Sequence, residues 1–233
     1  MQLKKPLLIG GFVGPGLVGT IAASFLIEEL ALNEIAHVRS AHIPPATVFI
    51  AGKLRHPFRI YGGHNGKVSI ATCEVALPID GLYHLAAALL DWAEAKGVEE
   101  LVVLDGVAQP GLPQQRRTYC AAEQDKCREL AQKGIGVLQT AFIGGMPGSL
   151  LNEALTRKIR GAALLTPVSA NLPDPGGAAS VITALGEAYG LKVKVDPLLA
   201  KAREIQQTFS ELATKYSEAH EAEKRNIPGG LYG

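Results

Sequence analysis

The sequence predicts an α/β protein built on a mostly parallel sheet, and two observations carry that prediction. Continuous apolar runs such as Leu101-Val102-Val103-Leu104 and the stretch from Ala162 to Leu165 read as strands buried on both faces. They alternate with segments whose apolar residues recur at helical spacing and which end on Gly97, Gly134 and Gly190, where left-handed helix caps are wanted. At 233 residues the chain can bury one sizeable core. We therefore expect an α/β core over residues 1–195, a helix over 196–225 and a short tail over 226–233.

Leu7 to Ile9 is a short strand that meets a glycine-rich loop, and Leu17 to Leu30 carries a helical apolar period. Ile35 to Val38, Thr47 to Ile50, Phe58 to Tyr61 and Val68 to Val75 read as strands, with a hairpin turn at Gly62 to Gly66 between the last two. Leu82, Leu85, Ala86, Leu89 and Ala93 place a helix from about Asp80 to Lys96. The alternation continues with helices near Ala122 to Gln132, Ser149 to Lys158 and Gly177 to Tyr189, and strands at Val137 to Phe142 and Ala162 to Leu165. Asp196-Pro197 supplies an N-cap and a first-turn proline for the longest helix, which runs to about Arg225. Its apolar residues Ile205, Phe209, Leu212 and Tyr216 form a narrow stripe suited to a helix seam, either back on its own sheet or between copies of the chain. Pro228-Gly229-Gly230 ends it, and the last three residues are expected to project.

Lys and Arg number 23 against 22 Asp and Glu, so no excess positive field draws nucleic acid or anionic lipid. Cys73, Cys120 and Cys127 are an odd set without CxxC spacing, which argues against a disulfide framework or a zinc knuckle and fits a reducing, cytoplasmic setting. The few apolar residues between Lys5 and Gly10 are too short for a signal segment or a membrane span.

Gly14-Pro15-Gly16-Leu17-Val18-Gly19 matches GxGxxG between a strand and a helix, where free helix amides could meet a phosphate. The second strand, however, ends at Arg39-Ser40 without the acidic residue that holds a ribose 2′-OH, so tight-turn glycines are the favoured reading and an NADP site the alternative. Gly148-Ser149-Leu150 is no nucleophile elbow, and Ser149 is expected to cap the helix it begins. Cys120 and Cys127, seven apart, are expected as small buried hydrophobes. The histidines at 37, 42, 56, 64, 84 and 220 show no local metal-ligand spacing. Asp80, one turn from His84, is expected as an N-cap rather than an acid–base partner, and Asp105-Gly106 as a turn closing its strand. No cofactor or metal is expected.

The stretch Ile9-Gly10-Gly11-Phe12-Val13-Gly14-Pro15-Gly16-Leu17-Val18-Gly19-Thr20 resembles the N-terminal glycine signature of the proteasome assembly chaperone two family. Ile43-Pro44-Pro45-Ala46, the segment from Trp92 to Gly106, Pro173-Asp174 and Val195-Asp196-Pro197-Leu198-Leu199 are similar to that family as well. The resemblance implies a three-layer α/β/α sandwich like that of nucleoside phosphorylases without their activity, and a homo-oligomeric, ATP-independent assembly factor. Leu231-Tyr232-Gly233 looks like the hydrophobic-Tyr-any-residue ending by which proteasome activators and some assembly chaperones enter pockets between α subunits. Leu231 offers apolar area, Tyr232 a ring and a hydroxyl, and Gly233 a carboxylate for a receptor lysine. The expectation is a docking protein and not an enzyme, with proteasome α subunits as partner. A nucleoside- or NADP-binding enzyme using Gly14 to Gly19 is the alternative.

Overall fold

The computed structural model describes residues 6–50, 52–63, 66–111, 113, 116–169 and 172–203. In chain order the strands are β1 (Leu7–Phe12), β2 (Asn33–His37), β3 (Val48–Ile50), β4 (Lys53–Arg55), β5 (Phe58–Gly63), β6 (Val68–Cys73), β7 (Glu100–Gln109), β8 (Tyr119–Ala122), β9 (Gly136–Val137) and β10 (Arg160–Ser169). The helices are α1 (Val18–Glu29), α2 (Leu82–Ala95), α3 (Gln124–Ala131), α4 (Gly145–Arg157) and α5 (Pro175–Tyr189). Helical backbone resumes over 196–203, as Asp196-Pro197 foretells.

β1 and β6 are buried along their whole length, as unbroken apolar strands must be if both faces are covered. With β7 and β10 they form the parallel centre of an eight-stranded sheet of order β2-β5-β6-β1-β7-β10-β8-β9. β5 and β2 extend it antiparallel on one side, and β8 runs antiparallel to β10 on the other. Residues of β1 alternate between the faces. Leu7 and Ile9 pack in a core with α1, α3 and α5, whereas Leu8 and Phe12 pack in a second core with α2 and α4. The expected α/β architecture, with its mostly parallel sheet between two helical layers, is thus present.

Several local expectations shift, each for a physical reason. The strand expected over Val137 to Phe142 shrinks to β9, because the edge ladder holds only Tyr119 to Gly136 and Cys120 to Val137 before the chain turns in. The Leu138 N–H still donates to the Cys120 carbonyl at 3.0 Å, and the Leu138 and Ile143 side chains pack on the second core. α4 begins at Gly145 and not at Ser149. Gly145 takes a φ of 64° and Pro147 in the first turn needs no N–H partner, so residues that read as breakers start the helix. Ser149 therefore lies buried inside α4 and caps nothing. Asp80 sits in a one-turn 3-10 segment, Ile79–Gly81, and its side chain makes no cap bond to α2, whose N-cap is Gly81. Cys120 lies on β8, which the sequence did not announce, and not on a helix with Cys127.

A buried ionic cluster fastens the β8–β9 side. Lys126 of α3 is 2% exposed and pairs with Glu100 of β7 and, at 3.1 Å, with Glu129. Its ammonium lies 4.7 Å from the centre of the Tyr189 ring, and the Tyr189 hydroxyl donates to Glu100 Oε1 at 2.6 Å. Each charge is balanced, but removal of one partner strands another in a low dielectric. Glu100→Ala should lower stability by about 3 kcal/mol in urea unfolding, whereas the double change Glu100→Leu with Lys126→Met should recover most of the loss.

Candidate functional site at the glycine turn

β1 delivers the chain into a tight turn at its carboxyl end, and the glycines there answer to space. A Cβ on Gly19 would stand 2.6 Å from the Leu104 carbonyl oxygen and 2.8 Å from the Phe12 backbone, and one on Gly11 would stand 2.7 Å from the Ala23 methyl. α1 therefore lies directly on β1 and β7 because both positions lack side chains. Gly16, at a φ of 63°, turns the chain, and a Cβ there would stand 3.1 Å from Val168 and 3.2 Å from Asp174, which close its open side. The Asp174 N–H donates to the Gly16 carbonyl at 2.8 Å, and its carboxylate caps α5 through the Gly177 N–H and pairs with Arg116 at 2.7 Å. Protein atoms, the Asp174 carboxyl group among them, thus occupy the flank where a pyrophosphate would sit.

Strand order removes the rest of the dinucleotide pattern. The neighbours of β1 are β6 and β7, and β2 is the far edge strand, three spacings or about 14 Å away. Arg39, just past β2, is therefore not beside the turn as it would be in a βαβ unit.

The opposite flank of the turn is open. A cavity of about 290 Å³ lies on the α4 side of the sheet, walled by Val13, Val107, Phe142 and Leu165, floored by Gly14, and edged by the start of α4. Asp105 reaches into it. This residue is no turn: β7 runs on to Gln109, and the carboxyl stands within the strand, 7% exposed. Oδ1 accepts from the Gly106 N–H at 2.8 Å, and no described residue bonds Oδ2. Burial pushes the acid up to about 6, against the pull of the Gly106 amide. Gly14 makes room for it, since a Cβ there would stand 3.1 Å from Asp105 Cγ. The signal in the sequence was a lone acidic residue inside Leu101-Val102-Val103-Leu104-Asp105-Gly106-Val107.

Other candidates fall elsewhere. Leu231, Tyr232, Gly233 and the stripe Ile205, Phe209, Leu212 and Tyr216 lie outside the described residues. Cys120 and Cys127 are buried with Sγ atoms 3.9 Å apart, and burial beside Cys127 pushes the Cys120 thiol up to about 12, away from nucleophilic use. Four histidines meet as two stacked pairs that spacing could not show, His37 on His56 at 3.8 Å and His42 on His84 at 4.7 Å. Among the described residues, no group of three or more His, Cys, Asp or Glu is placed to hold a metal ion, and no helix is long and apolar enough to cross a membrane.

The family model of the PAC2 family matches residues 8–213 of this chain. A protein of unknown function from Thermoplasma acidophilum is similar at 38% identity, over 94% of this chain and 90% of its own, with a TM-score of 0.79. PbaA of Pyrococcus furiosus, an archaeal homolog of proteasome-assembly chaperone, is similar at 29% identity over 97% of this chain and 94% of its own, with a TM-score of 0.84. PbaB of the same organism, an archaeal proteasome activator, shares the fold at 22% identity, over 91% of this chain and 95% of its own, with a TM-score of 0.80.

The raised pKa of Asp105 fixes a pH signature. The native state keeps a proton that the unfolded chain releases between about 3.8 and about 6, so this group's effect is to lower stability as pH rises through that window. Asp105→Asn keeps an acceptor for the Gly106 N–H and removes the titration. Its stability relative to the parent should rise by on the order of 2 kcal/mol between pH 4 and pH 7 in urea unfolding.

Proposed function

The chain belongs to the PAC2 family, and from that membership we propose that it is a proteasome assembly chaperone or activator, working in the cytoplasm by binding rather than by catalysis. The observation that carries the reading is the extent of the likeness. The family model spans residues 8–213, and the 29% identity to PbaA runs through 97% of this chain and so through the core as a whole. The closed Gly16 flank and the edge position of β2 weigh in the same direction, because they remove the phosphate cradle that a nicotinamide enzyme would need.

In this reading the C-terminus does the docking. Leu231 and Tyr232 enter a pocket between neighbouring proteasome α subunits, and the Gly233 carboxylate pairs with a lysine there. One such tail is a weak ligand. The chain therefore acts as a homo-oligomer, with Ile205, Phe209, Leu212 and Tyr216 as the seam between copies, so that several tails engage one α ring and raise each other's effective concentration. The β3–β4 hairpin offers a further apolar contact for association, since its facing residues Phe49 and Leu54 are 69% and 75% exposed.

Truncation before Leu231 should abolish capture of proteasome core particles in a pull-down, and Tyr232→Ala should weaken it by about 2 kcal/mol or more. Neither change should alter thermal unfolding of the core. Capture that survives the truncation undiminished refutes tail docking.

A further inference from the structure

We propose that the cleft beside Asp105 is a small-molecule site for a planar, uncharged amide or nitrogen heterocycle, bound through an N–H group at Asp105 and through its faces by the apolar walls. The site lies on the core and is independent of the docking tail. Three observations place it. The cavity of about 290 Å³ opens at the carboxyl ends of β1 and β7, the position at which open α/β sheets hold ligands, and its size is at the small end of ligand pockets. Asp105, only 7% exposed, lines it with an oxygen that no described residue bonds. That oxygen is not among the buried side-chain atoms that lack a partner, so it is reached from the cleft and can accept from a donor that enters there.

The walls set the rest of the ligand. Phe142 is 96% exposed at the rim, and Val13 and Val107 stand 37% and 43% exposed. An aromatic ring left this open is a stacking platform, and β-branched side chains suit a flat face. Charge is excluded on both sides. Among the described residues no Lys or Arg lines the cleft to receive an anion, and Asp105 repels one. The pull of Asp105 on a cation is offset by the amino end of α4 at the rim, at Gly144 and Gly145, and by the desolvation a cation meets between apolar walls. What remains is a neutral molecule with an N–H on an apolar, planar body.

The test uses the full chain with labelled valine and isoleucine methyl groups, titrated with benzamide and adenine and with three controls on the same ring: N,N-dimethylbenzamide, benzamidine and benzoate. Benzamide or adenine should give saturable shifts at Val13, Val107 and Ile143. N,N-dimethylbenzamide, benzamidine and benzoate should each bind at least tenfold more weakly than benzamide. Asp105→Ala and Phe142→Ala should each weaken the better ligand tenfold or more, with folding verified by retained methyl dispersion at Leu26 and Leu185 after leucine labelling. Leu155→Ala, outside the cleft, should leave it unchanged. Absence of saturable shifts with both probes, equal binding of the dimethyl or charged controls, or binding that persists in Asp105→Ala overturns the proposal. Proteasome capture by the same variants should be unaltered, so failure here and failure of the docking role are separately visible.

Discussion

Helix α1 lies so close to β1 and β7 that no side chain fits between them at Gly11 or Gly19, and this approach governs what happens on both flanks of the turn that joins β1 to α1. The added Cβ at either glycine would meet backbone, which cannot rotate away, so the constraint is absolute in a way that side-chain packing is not. With α1 seated, Gly16 must turn the chain at positive φ, and Val168 and Asp174 close over it. The same seating brings Gly14 over Asp105 on the other side of the sheet. One requirement of close packing therefore produces a GxGxxG pattern, a sealed flank and an open one.

Buried charge is handled in two ways around this centre. At the β8–β9 side, Lys126 is met by two carboxylates and an aromatic face, and Tyr189 supplies the donor that Glu100 still needs. Under the turn, Asp105 has, among the described residues, only the adjacent Gly106 amide. The first arrangement satisfies its groups from within the fold and serves to fasten α3 and α5 to the sheet. The second leaves one carboxyl oxygen facing an apolar recess, the feature on which the proposed ligand site rests.

The fold class was legible because buried parallel strands and amphipathic helices write different periods into the chain, and β1, β6, β7 and α2 show them plainly. Strand order was not legible. Nothing local distinguishes a β2 beside β1 from a β2 at the far edge, and the glycine pattern suggested the wrong neighbour. An element whose existence depends on a distant partner was also hidden: β8 exists through its ladder to β10, and the strand expected after it is cut to the two residues of β9 that pair with β8. α4 was placed late because Gly145 and Pro147 look like breakers until the helix start is seen to need a positive φ and one fewer donor. Asp105 read as a turn since Asp-Gly commonly is one, and only the run of β7 past it shows a carboxyl held in the strand.

In the proposed function a core carrying family identity and a terminal anchor carrying the contact divide the work of the protein between them. The anchor's strength should come from three groups together, Leu231, the Tyr232 ring and the Gly233 carboxylate. The most direct measurement is displacement of the full chain from proteasome core particles by the peptide spanning residues 228–233, made once with a free carboxylate and once as the amide. The free acid should displace the protein and the amide should not. Equal displacement by both, or by neither at peptide concentrations that saturate the α-ring pockets, would contradict docking through the tail.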